Sequence, residues 1–409
     1  MTRTFIALTV AVCLVLAATA GPQSAQAPTA SGVSPSDSLV REAIAAAYNL
    51  DHETAMAHAR RAIAADPQSP RAHRALASIV WLNILFHRGA VTVDHYMGSL
   101  TKTQLHLPKP DPAAATEFKA AIGKAIDLAT AKLRMNARDV QARYDAGAAY
   151  GLQASYVASV EGSLSSAFGI ARRAYSAQDD VLERDPSRVS AGLVVGTYRY
   201  LVSTMSMPKR WLAHLVGFGG DKAKGIALLE GALKDPEARV DAASALMLIY
   251  SREGRHPDVM RLARELSRDY PRNRLFVLEE GSAAIRAGRH SEAEAALTRG
   301  YEASQKETRP RIPGEEALWL YKRAMSRTYR NLTAAASADV ERALAAKPTE
   351  WIRGRLLVER GKLADLAGRR PEAIADYTSA AAICRPIADT QCEKEAGDLR
   401  RKPFSLTGR

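Results

Sequence analysis

Three groups of residues in the 409-residue chain have types and spacing that suggest chemistry. In "LVGFGGDKAKGIALLEGALKDP", Leu215 to Pro236, glycines crowd between Gly217 and Gly220 and lysines follow, the composition of a loop that cradles phosphate. Six of the nine histidines, His52, His58, His73, His87, His95 and His106, fall in the early part of the chain and, with Asp94, offer ligands to a metal. Cys384 and Cys392 stand close together in "CRPIADTQC".

Spacing argues against a catalytic use of each. A phosphate loop of the G-x-x-x-x-G-K-[ST] kind follows a strand and places Lys and Ser or Thr after its last glycine. Here Lys222 and Lys224 precede Gly225, no Ser or Thr follows, and the residues upstream read as helix and loop. Asp221 reads instead as the cap of a helix whose Ala223, Ile226, Leu229 and Leu233 form an apolar stripe. His87 and His95 are eight apart, neither an i,i+4 helical pair nor a finger spacing. C-x7-C is a poor zinc spacing with no histidine nearby, and an even pair in an exported chain points to one disulfide. No G-x-S-x-G or H-E-x-x-H occurs. The expectation is therefore no catalytic residue, no metal and no cofactor. A metal-dependent enzyme, or an enzyme's accessory domain, using the histidine-rich first quarter stands as the alternative.

The elements that would position these residues begin after a leader. Arg3 precedes an apolar run from Phe5 to Ala20, and small residues follow at Ala18-Thr-Ala20 and Ala25-Gln-Ala27, the pattern of a secretory signal peptide. The run is shorter than a membrane span and is broken at Gly21-Pro22, and cleavage falls after residue 20 or 27. Residues 1–27 are thus expected to be removed and 28–36 to be a linker, leaving an exported protein, periplasmic or extracellular, with no transmembrane segment. The formal charge is +13, and only Arg3 would leave with the leader. A basic surface favours anionic partners. Export makes an acidic protein, an envelope polymer or an anionic lipid surface the expected partner rather than nucleic acid. The oligomeric state is not legible.

A period organises the rest. Gly220, Gly254 and Gly288 are 34 residues apart, opening "GDKAKGIALLEGAL", "GRHPDVMRLAREL" and "GRHSEAEAALTRG", and "GRRPEAIADYTSAA" begins at Gly368. These segments resemble the tetratricopeptide repeat, a pair of antiparallel helices with small residues where they approach. Gly225, Ala293 and Ala373 supply the small residue five after the turn, with Val259 the bulky exception. Gly281 and Gly361 supply the one seven before it, where Met247 does not fit. Pro271, Tyr250 and Tyr377 match further positions. Earlier in the chain Ala55, Ala62 and Pro67, then Gly162, Gly169, Ala174 and Pro186, carry the same signature with more drift. The resemblance implies an all-α fold, tetratricopeptide-like antiparallel hairpins stacked in a right-handed α-solenoid. The expected solenoid covers 37–386, with insertions near 88–112 and 304–349 and a carboxy-terminal tail or helix over 387–409. Ser206, Pro208, Gly217, Phe218, Gly220, Asp221 and Gly225 further resemble the eukaryotic tetratricopeptide family associated with the mitochondrial outer membrane and inclusion-body clearance, and its bacterial relatives.

In such arrays the first helix of each hairpin lines the binding face. Arg252 and Arg286, each two residues before a turn glycine, are expected to form a basic pair there. The family's carboxylate-gripping Lys and Asn are replaced by Ser244 and Leu278, which argues against a chaperone-type peptide carboxylate. A second candidate surface is the interruption "YRYLVSTMSMPKRWLAHLVGFGG", which gathers Tyr198 and Trp211 beside Lys209 and Arg210. The expected function is that of an exported, non-catalytic scaffold for protein–protein interaction in the bacterial cell envelope. Peripheral binding to an anionic membrane surface is a further alternative.

Overall fold

The computed structural model describes residues 34–97, 107–205 and 219–406. The described residues form α-helices with no strand. In chain order these are α1 (Pro35–Tyr48), α2 (His52–Ala65), α3 (Pro70–His87), the one-turn α4 (Val93–Tyr96), α5 (Pro112–Met135) and α6 (Val140–Tyr156). Then come α7 (Leu164–Arg184), α8 (Gly192–Ser203), α9 (Lys222–Ala232), α10 (Arg239–Arg252), α11 (His256–Asp269) and α12 (Arg274–Arg286). The last are α13 (His290–Gln305), α14 (Glu315–Tyr329), α15 (Thr333–Ala345), α16 (Glu350–Leu366), α17 (Arg370–Cys384) and α18 (Thr390–Arg401). Within each unit consecutive helices pack on one another, α5 through α9 in the first and α11 through α18 in the second, the arrangement of tetratricopeptide-like hairpins. The chain divides into two compact units: 1–85 with 109–249, and 86–108 with 250–409.

One turn geometry joins first to second helices. Gly254, Gly288 and Gly368 have φ near +72°, and the next residue's N–H returns to a carbonyl five residues back: Arg255 to Tyr250 at 2.8 Å, Arg289 to Ala284 at 2.9 Å and Arg369 to Ala364 at 2.8 Å. This closes the orphan carbonyls at a helix end through a left-handed residue, where glycine is the least strained choice. Leu50 (φ 60) and Asn331 (φ 59) do the same without glycine, with Asp51 bonded to Ala46 and Leu332 to Arg327, both at 2.9 Å. Gly220 does not belong to this set. Its φ is not positive, it lies one residue before the Asp221 cap of α9, and a Cβ there would fall 2.4 Å from the Ser203 nitrogen. Its 34-residue spacing from Gly254 therefore has a different cause, close packing against the end of α8.

In the first unit the turns that lead from a second helix to the next hairpin use a side chain instead. Asp66, Asn136, Asp185 and Asp235 each accept the N–H two residues on, at 3.0, 3.0, 3.1 and 2.9 Å. Helices α8 and α9 meet at their backbones because Gly196 and Gly225 face each other; a Cβ on Gly196 would lie 2.6 Å from the Gly225 carbonyl oxygen. The unit's core holds a buried ion pair, Arg74 with Asp145 at 2.8 Å, and Trp81, whose indole N–H donates to the Ser159 hydroxyl at 2.9 Å.

The second unit departs from the sequence expectation in where its extra residues lie. The stretch 304–349 contains a full hairpin, α14 with α15, and the loop between Gln305 and Glu315 supplies most of the residues in excess of the period. Asn331 hides this hairpin from a search for glycines. Helix α18 packs on α17, burying Cys392 and Ala396, and Cys384 is bonded to Cys392. A bridge across eight positions restricts the unfolded chain by about 2–3 kcal/mol. Replacing both cysteines with serine is expected to lower stability by that amount. Hydrogen exchange should locate the loss in α17 and α18, with α12 and α14 unchanged.

Candidate functional site

The face of the second unit made by α12, α14 and α16, with the last residues of α10 from Tyr250, is where charged side chains converge, and most of them are buried. Helix α12 contributes Glu279, Ser282 and Arg286, placed on one side by their helical spacing. Helix α14 adds Lys322, α16 adds Arg355 and the end of α10 adds Arg252. Glu279 and Lys322 are 6% and 5% exposed. Charges so deep require partners.

The partner comes from residues 88–97. Asp94, on α4, places one carboxylate oxygen 2.6 Å from Lys322 Nζ and the other 3.0 Å from Arg286 Nη1. The Ser282 hydroxyl donates to Asp94 at 3.5 Å, and Arg286 also donates to Glu279. Arg252 donates to the Tyr96 carbonyl at 2.8 Å. The segment is held in shape by its own bonds. The Tyr96 hydroxyl donates to the Ala90 carbonyl at 2.7 Å, and Arg88 Nε donates to the Pro108 carbonyl at 2.8 Å, tying the two ends of the excursion. Beside this, Arg355 grips Asp389 with two bonds, 2.8 and 3.1 Å.

Electrostatics follow from burial. Burial alone would raise the Asp94 carboxyl, but Lys322 and Arg286 outweigh it and hold the group well below its usual value, so Asp94 is an anion. Burial pushes Glu279 up to about 7, with Arg286 opposing. Burial lowers Lys322 while Asp94 opposes. His95 is pushed down to about 4 by burial, with Arg88 adding to the shift, and is neutral at pH 7. Arg286, Lys322 and Arg355 therefore face the Asp94 and Asp389 carboxylates and a Glu279 whose ionisation burial opposes.

The raised Glu279 has a signed consequence. A carboxyl whose folded value exceeds its unfolded one binds protons more tightly when folded, so its ionisation costs stability as pH rises from about 4.5 to about 7. Glu279→Gln is expected to match the parent near pH 4.5 and to be more stable at pH 8, by about 1–3 kcal/mol. Thermal melts across that range check it; a variant less stable at pH 8 than at pH 4.5, each against the parent, would contradict the assignment.

Of the residues singled out from sequence, Arg252 and Arg286 lie on this face, engaged rather than open. Leu278 is buried in the core. Tyr198 is 6% exposed in the first unit, 4.7 Å from the Tyr175 ring. Trp211, Lys209, Arg210 and His106 lie outside the described residues. Among the described residues no histidine belongs to a cluster with metal-ligand geometry: His58 pairs with Glu42 at 3.1 Å and His73 meets the Pro67 carbonyl at 3.0 Å. Among the described residues the one cluster with metal-ligand geometry is Cys384, Asp389 and Cys392, and both thiols are spent in the disulfide. Asp94 was noticed in the sequence as a metal ligand, and its observed role is as an ion-pair partner. Lys322, Glu279 and Arg355 were missed.

No protein-family model matches the chain, and no curated protein matches it. Among solved structures, a tetratricopeptide repeat protein from Parabacteroides merdae is 12% identical over 88% of this chain and 98% of its own, with a TM-score of 0.27. Yeast Tom70 is 13% identical, with 90% and 84% covered and a TM-score of 0.37. The human IFIT1 dimer with m7Gppp-AAAA is 12% identical, with 91% and 88% covered and a TM-score of 0.41. Scores this low carry no argument about function. The tetratricopeptide-like description rests on the helical pairs and their turns. No helix among the described residues is long and apolar enough to cross a membrane.

Proposed function

We propose that this chain is an exported, non-catalytic tetratricopeptide scaffold that binds protein partners in the bacterial cell envelope, and that it is a bacterial relative of the mitochondrial outer-membrane and inclusion-body clearance family. The observation that carries the reading is the seating of a peptide segment, 88–97, on the first-helix face of the second unit, through a carboxylate on two cations and a main-chain carbonyl on an arginine. A surface that grips the one carboxylate and a main-chain carbonyl of a peptide segment has the chemistry of protein recognition. The charged groups of this face are engaged with one another and with that segment, as in a recognition surface. Export is supported by the leader-like start of the sequence, and amino-terminal sequencing of the protein recovered outside the cytoplasm is expected to begin at residue 21 or 28.

The functional test is affinity capture from an envelope extract on the immobilised chain, starting at residue 28. A specific protein should be retained, and released by salt if basic residues contribute to the contact. Turnover of a small substrate, or stoichiometric zinc or iron lost on changing His87 and His95, would replace the scaffold by the enzyme reading.

A further inference from the structure

Residues 88–97 are built as a ligand for a face they share no helix with. The flanking helices α3 and α5 belong largely to the first unit, yet the excursion between them groups with the second. Its internal bonds, Tyr96 to Ala90 and Arg88 to Pro108, shape it independently of the groups it docks on. It meets the face through the Asp94 carboxylate on Lys322 and Arg286 and the Tyr96 carbonyl on Arg252, while its own Ala90 and Tyr96 are buried. Polar contacts of this kind are exchangeable, because an incoming carboxylate can take the same two cations and leave neither buried charge unmatched. The cations of the face, Arg286, Lys322 and Arg355, all have carboxylates as partners, Asp94, Glu279 and Asp389, so a carboxylate is the group this face is built to receive.

We propose that residues 88–97 are a resident, displaceable ligand of the first-helix face of the second unit, and that this face binds an acidic segment of a partner protein, through an Asp or Glu carboxylate on Lys322 and Arg286, in competition with Asp94. This rests on the scaffold reading and specifies its binding face and its regulation. A tethered ligand acts as an intramolecular competitor, so it lowers the apparent affinity for partners by the fraction of time the face is vacant. Partners of weak complementarity are excluded and strong ones admitted.

The probe is a labelled synthetic peptide with the sequence of residues 88–97, RGAVTVDHYM, and a twin with Asn in place of its Asp. Binding to the full chain and to its Asp94→Asn variant is read by fluorescence anisotropy. Weakening the resident ligand should raise affinity for the Asp peptide by about tenfold or more. The Asn peptide should bind that variant at least about tenfold more weakly, and adding Lys322→Met should abolish the difference between the peptides. Equal affinity of parent and variant, equal affinity of the two peptides, or no binding to a folded variant each overturns the proposal. If Asp94→Asn does not fold, hydrogen exchange on the parent decides. Displacement requires the amides of 88–97 to open about 100-fold more often than those of α12 and α14, and exchange at a common rate overturns it. An envelope protein captured without competition from the Asp peptide overturns this proposal while leaving the scaffold reading intact.

Discussion

Replacing Glu315 with alanine is expected to destabilise the second unit by about 3–5 kcal/mol, the cost of stranding a buried charge. Arg274 and Glu315 are 5% and 2% exposed. The carboxylate takes two bonds from the guanidinium, one of them 2.8 Å, and also accepts the Ile312 N–H at 3.0 Å and the Trp319 indole N–H at 3.4 Å. Alanine removes all of these at once and leaves Arg274 with the Pro310 carbonyl at 2.9 Å and a looser approach to Glu307 at 3.6 Å. Urea unfolding followed by circular dichroism measures the loss. The double change Arg274→Met with Glu315→Met should cost less than Glu315→Ala alone, because it removes both charges and refills the space. A single-variant loss below about 1 kcal/mol would show that water reaches the pair.

Trp81→Ala is expected to cost a similar amount, about 3–5 kcal/mol, in the first unit. The side chain is fully buried, and its removal leaves a void lined by helices that cannot close without moving their neighbours. Trp81→Phe separates packing from hydrogen bonding. It keeps most of the volume and gives up the bond to Ser159, whose hydroxyl still donates to the Ser155 carbonyl at 2.7 Å. A loss of about 1–2 kcal/mol is expected there. If phenylalanine proved as costly as alanine, the indole hydrogen bond rather than the packed ring would be the main contribution.

The hairpins were legible where a turn used glycine. Small residues at fixed offsets from Gly254, Gly288 and Gly368 are a direct trace of helices in close contact and of a left-handed backbone. Legibility failed where another residue took that backbone. Leu50 and Asn331 make the same turn, and Asn331 in particular conceals that the two helical pieces of 304–349, α14 and α15, are a hairpin of the same kind and not an insertion. Counting from the true turns, Glu279, Lys322 and Glu359 each stand nine residues before Gly288, Asn331 and Gly368, and all three are buried. That register of buried charge is a signal present in the sequence, invisible until Asn331 is counted as a turn. Arg252 and Arg286 were found because their turns were glycines. What no local pattern carries is the pairing of Asp94 with Arg286, 192 positions away, since neither residue's surroundings encode the other.

The placement of Asp94 also sets an order of events during synthesis. A ribosome delivers Asp94 well before α12 and α14 exist, so its carboxylate must wait in water until Arg286 and Lys322 emerge. Contacts of such long sequence separation form late in folding. The second unit thus becomes complete only when the last third of the chain meets a segment made near its beginning. A fragment starting at Tyr250 would carry its cations to the end of translation with no Asp94 to receive them.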